Sequence, residues 1–212
     1  MTERIPCTTC GASILHATAE RTGGLCKPCK GGYRESIEQG KIHNELKKQY
    51  RETDEYKNWD KHWNWLIDQI HKTDGGFQNL SHPNKLFFAV NLVKGQVFRS
   101  GFEMYFETDS ADSYEFALEG LSAMGATESL RLLISAKQLF FGENSLPSTE
   151  AERWDVLKTV GIHTQINQSN ELDLIEHAFY KDPDELDERL RLFALEQDLY
   201  KNLLTTAWEI ES

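Results

Sequence analysis

Apolar residues recur along most of this chain at the three- and four-residue spacing of amphipathic α-helices. The pattern predicts a helix from Tyr33 to about Arg51, a second helix capped by Thr53, and a third that begins at residues 81–83. A break near Gly101 interrupts the third pattern. Beyond the first 32 residues no segment alternates steadily between apolar and polar residues, so we predict an all-α, multi-helical fold.

Short local motifs predict the helix boundaries in the second half of the chain. Thr127 is placed to cap one helix. Thr149 and Glu152 have the spacing of a capping box for the next helix, which Gly161 would end. Asp182 stands directly before a proline, which predicts that the last helix starts there.

The first 32 residues carry a different signal, a pattern of four cysteines. Its spacing is C-x2-C-x15-C-x2-C, which lies within the range of zinc sites. Two C-x2-C turns can complete a tetrahedral shell of sulfurs around one ion, and such a closed shell is structural rather than catalytic. Iron in the same shell and two disulfides are the alternatives. The predicted ligands of one structural Zn²⁺ ion, held in a small zinc ribbon, are Cys7, Cys10, Cys26 and Cys29.

The charge of the chain is strongly uneven. The 212 residues carry a formal net charge of −11. Residues 1–60 contain 10 Lys and Arg against 9 Asp and Glu, whereas residues 61–212 contain 13 against 25. The larger part would therefore be repelled by DNA, RNA and anionic lipid. Basic protein surfaces, or metal ions, are its natural electrostatic partners.

Two features keep a nucleic-acid role open. The ribbon and the helix after it carry a run of basic residues: Lys27, Lys30, Arg34, Lys41, Lys47 and Lys48. The second helix carries three tryptophans that could stack on bases or sugars: Trp59, Trp63 and Trp65. A solvated helix face and core packing are the simpler interpretations. Four thiolates outweigh the charge of one Zn²⁺ ion, so the ribbon as a whole is near neutral. Two of the three tryptophans fall on the apolar stripe of their helix, where core packing is expected.

The most acidic stretch lies between Arg99 and Arg131, which enclose no Lys or Arg. It interleaves carboxylates with large apolar residues, so it predicts packed helices with a strongly negative face. The predicted partner surface consists of Glu103, Glu107, Asp109, Asp112, Glu115 and Glu119. Several of these acids are three or four residues apart, a spacing at which like charges on a helix destabilise it. This cost favours a functional interpretation.

The charge density of this stretch limits what it can imitate. Duplex DNA carries roughly one charge per 1.7 Å of its axis. Six carboxylates over residues 103–119, if helical at about 1.5 Å per residue, give only about one charge per 4 Å. One helix therefore cannot imitate a duplex, whereas two or three acidic elements side by side, or a homodimer, could.

Residues 101–126 resemble the signature of the bacterial DNA-mimic protein family. That signature has the form N-G-G-F-x-Q-Y-F, then an acidic or polar loop, then A-L-x-x-I-G-A. The matching residues are Gly101, Phe102, Tyr105, Phe106, Ala117, Leu118, Gly125 and Ala126. The departures are Arg99-Ser100 in place of the first N-G, Met104 in place of Gln, and Met124 in place of Ile. Helical surroundings extend the resemblance to residues 80–212.

The resemblance implies an all-α domain whose acidic surface engages a DNA-binding protein in place of DNA. A zinc ribbon joined to a helical domain is also similar to bacterial toxin-immunity proteins, which block the active site of one effector such as a nuclease. Both interpretations describe an inhibitor that binds a basic protein. A zinc-ribbon protein that binds nucleic acid is the third interpretation.

The expected organisation is a zinc ribbon at 1–32, a helical connector at 33–78 and the all-helical DNA-mimic-like domain at 79–212. We do not expect an enzyme, because the common nucleophile, phosphate-loop and metalloprotease motifs are absent from the sequence. Neither a membrane-spanning run nor a secretory signal is present, so we expect a cytoplasmic location. Reversal of Glu107, Asp112 and Glu115 to Lys should abolish partner binding and leave the fold intact.

Overall fold

The chain begins with a β-hairpin in this computed structural model, which describes residues 4–160 and 166–200. β1 (Arg4–Pro6) pairs antiparallel with β2 (Ser13–Leu15), and Ile5 lies opposite Ile14. Two short helices follow, α1 (His16–Thr22) and α2 (Lys27–Lys30). Outside this hairpin the described residues contain no β-strand, which confirms the predicted all-α class.

The N-terminal compact unit comprises Met1–Lys57. Its long helix is α3 (Arg34–Arg51), which matches the predicted helix, and no residue along its described length is buried. The small core of this unit lies in the hairpin and its two short helices instead. It consists of Cys7, Ile14, Ala19 and Cys26. Two cysteines are half of this core, so the hairpin has little apolar burial of its own.

The C-terminal compact unit comprises Asn58–Ser212, and the division between the units falls inside the predicted connector 33–78. Its described helices are α4 (Asp54–Lys72) from Asn58 onward, α5 (His82–Glu107), α6 (Tyr114–Ala123), α7 (Thr127–Phe141), α8 (Glu150–Val160), α9 (Ile166–Phe179) and α10 (Leu186–Glu196). Single 3-10 turns lie at Gly76–Asn79 and Asp109–Ser113. All regular secondary structure in the described part of this unit is therefore helical.

Helix α5 is the centre of this unit, because α6 to α10 all pack against it. Its most deeply buried apolar residues are Phe87, Ala89, Val90, Val93, Val97, Phe102, Tyr105 and Phe106. Burial of each large apolar side chain contributes about 1.5–3 kcal/mol to stability. The three tryptophans of α4 are half-buried and pack against the same core, as the packing interpretation predicts.

Two predicted helix caps are confirmed by hydrogen bonds. Thr53 Oγ1 accepts from the backbone N–H of Tyr56 at 3.2 Å, at the start of α4. Thr149 and Glu152 form the predicted capping box, with reciprocal bonds of 3.3 and 3.2 Å. The bond from the Thr149 backbone N–H is the main reason that the pKa of Glu152 is lowered. The predicted stop at Gly161 lies outside the described residues.

Two predicted boundaries are wrong because distant or indirect contacts supply the caps. Thr127 is the first residue of α7 rather than its cap, and the Ser129 backbone N–H donates instead to Asp184 Oδ2 at 2.6 Å. The last described helix begins at Leu186 rather than at Asp182. Asp182 still acts as a cap, since its Oδ1 accepts from the Leu186 backbone N–H at 2.9 Å across an intervening turn.

Within the described residues no helix combines the length and the apolar character needed to cross a bilayer. This agrees with the absence of a long apolar run in the sequence.

Candidate acidic interface and metal centre

The four cysteines converge in the N-terminal unit. Their sulfur atoms all lie within 4.8 Å of one another. Cys7 and Cys10 lie on the loop between β1 and β2, where Gly11 adopts φ +70° and donates its backbone N–H to Cys7 O at 2.9 Å. Cys26 precedes α2 and Cys29 lies within it. A hairpin loop and the start of a short helix therefore present two thiols each.

The geometry of the four sulfurs fits a tetrahedral metal shell. Zn–S bonds of about 2.3 Å place the sulfurs of a tetrahedron about 3.8 Å apart. Cys10 Sγ and Cys26 Sγ lie 3.6 Å apart, close to that spacing. A disulfide needs about 2.05 Å between sulfurs, and all four thiols are free. The described cluster therefore fits one metal ion rather than two disulfides.

The pKa values of two of these thiols also bear on the binding of a cation. A backbone N–H from Cys26 donates to Cys7 Sγ at 3.2 Å and is the main cause that lowers the pKa of Cys7 to about 6. Burial among the other sulfurs raises the pKa of Cys29 to about 12. A bound divalent ion would stabilise the ionised form of both groups.

The acidic stretch begins at a kink in α5. Gly101 has φ +83° and ψ 174°, a conformation that interrupts the helix at the break predicted from the sequence. The kink exposes the backbone N–H of Phe102, which donates to Glu176 Oε1 at 2.8 Å. Glu176 lies on α9, so a distant carboxylate caps the last turns of α5.

The six acids of the predicted partner surface lie in different settings. Glu103 and Glu107 are half-buried on the last turns of α5. Asp109 and Glu115 are exposed, and no cation of the described residues lies within ion-pair distance of either. Glu119 is exposed and pairs with His82 at 2.7 Å. These positions leave their role in partner binding a prediction.

Asp112 differs from the other five acids because it pairs with a buried arginine. Arg153 is fully buried, and its Nη2 donates to Asp112 Oδ1 at 2.6 Å. We therefore expect Asp112→Lys to destabilise the fold, in place of the sequence-based expectation that the fold stays intact, since it would place a second cation beside Arg153. Sequence reasoning missed Arg153, because an arginine in an amphipathic helix is ordinarily solvent-exposed.

A second acidic cluster, at the start of α10, is used within the unit. Asp184 caps α7, and Asp187 pairs with Lys94 of α5. Glu188 pairs with Arg191 one turn further along α10, which lowers the pKa of Glu188. These acids have structural partners, so the cluster supplies less free negative charge than its sequence indicates.

A cavity of about 180 Å³ lies beside the start of α5. Its lining includes His62, Trp65, Ser81, Asn84 and Asp198. The buried atoms His62 Nε2 and Asn84 Oδ1 have no hydrogen-bond partner in the described structure. Burial lowers the pKa of His62 to about 4, an effect that the Asn84 side chain partly opposes. His62 is therefore neutral at pH 7.

The stability of the protein should fall as pH falls because of His62. A buried neutral imidazole binds no proton until about pH 4, whereas the unfolded chain binds one near pH 6.5, so protons favour unfolding in that window. We expect the free energy of unfolding to drop by about 2 kcal/mol between pH 8 and pH 5. Urea denaturation at both pH values measures this drop, which His62→Gln should largely remove.

The control for this prediction is the exposed residue His43 on α3. His43→Gln should keep the full loss of stability between pH 8 and pH 5. An equal pH dependence in His62→Gln and in the wild type would contradict the assignment to His62.

The comparisons with known proteins bear on the C-terminal unit. A family model described as DMP19-like protein matches residues 78–198, more than half of the chain. Searches of curated proteins and of solved structures give no match. The matched segment contains 10 Lys and Arg against 21 Asp and Glu, and the rest of the chain contains 13 against 13. The whole net charge of −11 therefore lies within the matched segment.

Proposed function

Because this chain belongs to the DMP19-like protein family, we propose that its acidic helical unit binds a basic, nucleic-acid-binding protein in place of DNA. This family agrees with the DNA-mimic resemblance of residues 101–126. The observation that carries the proposal is the confinement of the net charge of −11 to the matched residues 78–198. Such a segment repels nucleic acid and attracts the basic surfaces that bind it.

The exposed acids between α5 and α6 are the proposed contact surface. Asp109 and Glu115 carry charges that no described cation neutralises. Glu115 and Glu119 lie four residues apart on α6, which places them on one face of that helix. Glu103 and Glu107 flank this surface on the last turns of α5. A basic partner would relieve the repulsion among these carboxylates.

An immunity role against a basic toxin such as a nuclease is the alternative within the same proposal. Both roles use an acidic surface that associates quickly with a basic protein through electrostatic steering. The captured partner distinguishes them, because a DNA-binding regulator supports mimicry and a nuclease supports immunity. We propose no catalytic step in either role.

The N-terminal unit is proposed to hold one structural Zn²⁺ ion. Four thiolates and no open coordination position are typical of a structural zinc site. Residues 1–57 contain 10 Lys and Arg against 8 Asp and Glu, and the charged thiolates offset that small excess. This balance does not favour the ribbon as the nucleic-acid binder. Reduced thiols also favour a cytoplasmic location.

Capture from the native cell lysate tests the proposed function. The protein is immobilised, loaded at low salt, washed at high salt, and the eluted material is identified by mass spectrometry. A basic DNA-binding protein or nuclease released by salt would support the proposal, because salt screens charge pairs at a surface. Nucleic acid in the eluate, without a protein, would contradict the proposal and would favour nucleic-acid binding by the ribbon.

Reversal of two exposed acids should weaken capture strongly. We expect Asp109→Lys with Glu115→Lys to lower affinity for the captured protein by roughly 100-fold, because two attractive contacts become repulsive. Asp112 is left out of this variant because it supports Arg153. Titration by calorimetry at low salt measures the loss, and thermal unfolding checks that the fold is retained.

The matched control changes the net charge by the same amount elsewhere. Glu45→Lys with Glu171→Lys alters two exposed acids, one on α3 and one on α9. Equal weakening by both double variants would show that net charge alone governs binding. In that case the proposed surface between α5 and α6 would be wrong.

A further inference from the structure

The turn that carries Asp109 and Asp112 is supported from inside the protein by Arg153. This arginine is fully buried on α8, a helix that packs against α5 and the 3-10 turn Asp109–Ser113. A buried guanidinium is stable only when its N–H groups are hydrogen-bonded, because a charge removed from water loses its hydration. The partners of Arg153 therefore show what its charge stabilises.

Three of these partners are backbone carbonyls. Nε donates to Phe106 O at 2.8 Å, Nη2 to Thr108 O at 2.7 Å, and Nη1 to Pro147 O at 3.2 Å. Phe106 and Thr108 lie at the C-terminal end of α5, where helix carbonyls lack partners within the helix. A cation at this end is also favoured by the helix dipole. Arg153 thus caps α5 at its junction with the acidic turn.

The fourth partner is the side chain of Asp112. Its Oδ1 accepts from Arg153 Nη2 at 2.6 Å, while half of the Asp112 side chain remains exposed. Asp109 lies between Thr108 and Asp112, which are both bonded to the same guanidinium group. Both ends of the short segment that presents Asp109 are therefore attached to one buried side chain.

We propose that Arg153 is a positioning residue for the acidic surface, and that Asp112 acts mainly through Arg153 rather than through contact with a partner. This inference rests on the proposed function, because it assigns roles within the proposed contact surface. The inference divides the six predicted acids into two classes. Some, such as Asp109, offer their charge to the partner, whereas Asp112 holds the turn in place. Arg153 has no exposed surface with which to touch a partner.

Conservative and non-conservative changes at Asp112 distinguish positioning from direct contact. Asp112→Asn keeps an oxygen that can accept from Arg153, whereas Asp112→Ala removes it. We expect Asp109→Asn and Asp112→Ala each to weaken affinity for the captured basic protein by about ten-fold, and Asp112→Asn by less than about three-fold. An Asp112→Asn variant that loses as much affinity as Asp109→Asn would overturn the proposal.

A measurement that needs no partner tests whether the Arg153–Asp112 contact holds the turn in place. Amide hydrogen exchange of residues 107–113 should be about ten-fold faster in Asp112→Ala than in the wild type, and close to the wild-type rate in Asp112→Asn. Unchanged exchange in Asp112→Ala would overturn the proposal. If no basic protein is captured, the proposed function fails while the exchange result still decides whether the turn is held by this pair.

Arg153→Met removes the buried member of the Arg153–Asp112 pair. A folded Arg153→Met protein should show fast exchange at residues 107–113, and Asp112→Ala should add little to it, because both changes remove the same contact. Additive effects on the exchange rate would contradict a shared role. Should Arg153→Met fail to fold, the three surface variants at Asp109 and Asp112 decide the question.

Discussion

Removal of the proposed Zn²⁺ ion by a chelator should unfold the hairpin and short helices of the N-terminal unit and leave the C-terminal unit folded. The N-terminal core consists of two cysteines with Ile14 and Ala19. So small a core cannot offset the conformational entropy of folding without an additional link. Structural zinc sites in zinc-finger peptides have an apparent binding free energy of about 10–16 kcal/mol, and this energy stabilises the folded state.

Heteronuclear NMR of the whole chain measures this outcome directly. Amide signals of residues 4–30 should collapse toward unfolded positions on chelation, and those of α5 to α7 should stay in place. Elemental analysis should find one zinc ion per chain before chelation. If iron is bound in place of zinc, the four predicted ligands stay the same, and the same elemental analysis identifies the metal.

Cys10→Ser should have the effect of the chelator, because it removes one of the four sulfurs. Thr9→Ala is the matched control, since Thr9 is exposed on the same loop and offers no sulfur. Native signals for residues 4–30 in the metal-free protein would contradict the assignment. The C-terminal core needs no ion, because it buries a far larger apolar set around α5.

Gly101→Ala should destabilise the C-terminal unit by about 3 kcal/mol or more. The backbone of Gly101, with φ +83° and ψ 174°, is in a region that only glycine occupies freely. A Cβ at this position would also clash with Glu176 Oε1, which caps the exposed N–H of Phe102. Strain and loss of the cap act at the same point, in the middle of the core.

Thermal unfolding gives the size of this effect, which corresponds to a fall in Tm of roughly 6–12 °C for a chain of this length. Gly95→Ala is the matched control on the same helix, because a Cβ there meets no atom within 4 Å. That variant should be neutral or more stable by up to about 1 kcal/mol. Equal losses in the two variants would show that Gly101 has no special conformational role.

The cluster of four cysteines and the helical class could be predicted from the sequence because their signals are local. The C-x2-C spacing brings the two sulfurs of each pair together, and the apolar period of 3.6 residues identifies helices without any knowledge of their packing. The break at Gly101 and the capping box at Thr149 and Glu152 are local in the same way. The capping box joins residues three positions apart, whereas the two cysteine pairs meet across 16 positions, from Cys10 to Cys26.

The contacts that organise the acidic surface could not be predicted in this way. Arg153 binds Asp112 across 41 positions, and Glu176 caps Phe102 across 74. Asp184 caps α7 across 55 positions, so that Thr127 is not needed as a cap. No local pattern links such residues, since either member of each pair would be equally acceptable on a solvent-exposed helix face.

The sequence by itself therefore determined the four candidate metal ligands, the helical class, and the uneven distribution of charge, with the net charge of −11 carried by residues 78–198. Only the tertiary structure decided which acids are free. It left Asp109 and Glu115 exposed, bound Asp112 to a buried arginine, and used the acids before and within α10 as caps and ion pairs. The physical reason is that charge is a property of composition, whereas its neutralisation depends on which side chains folding brings together.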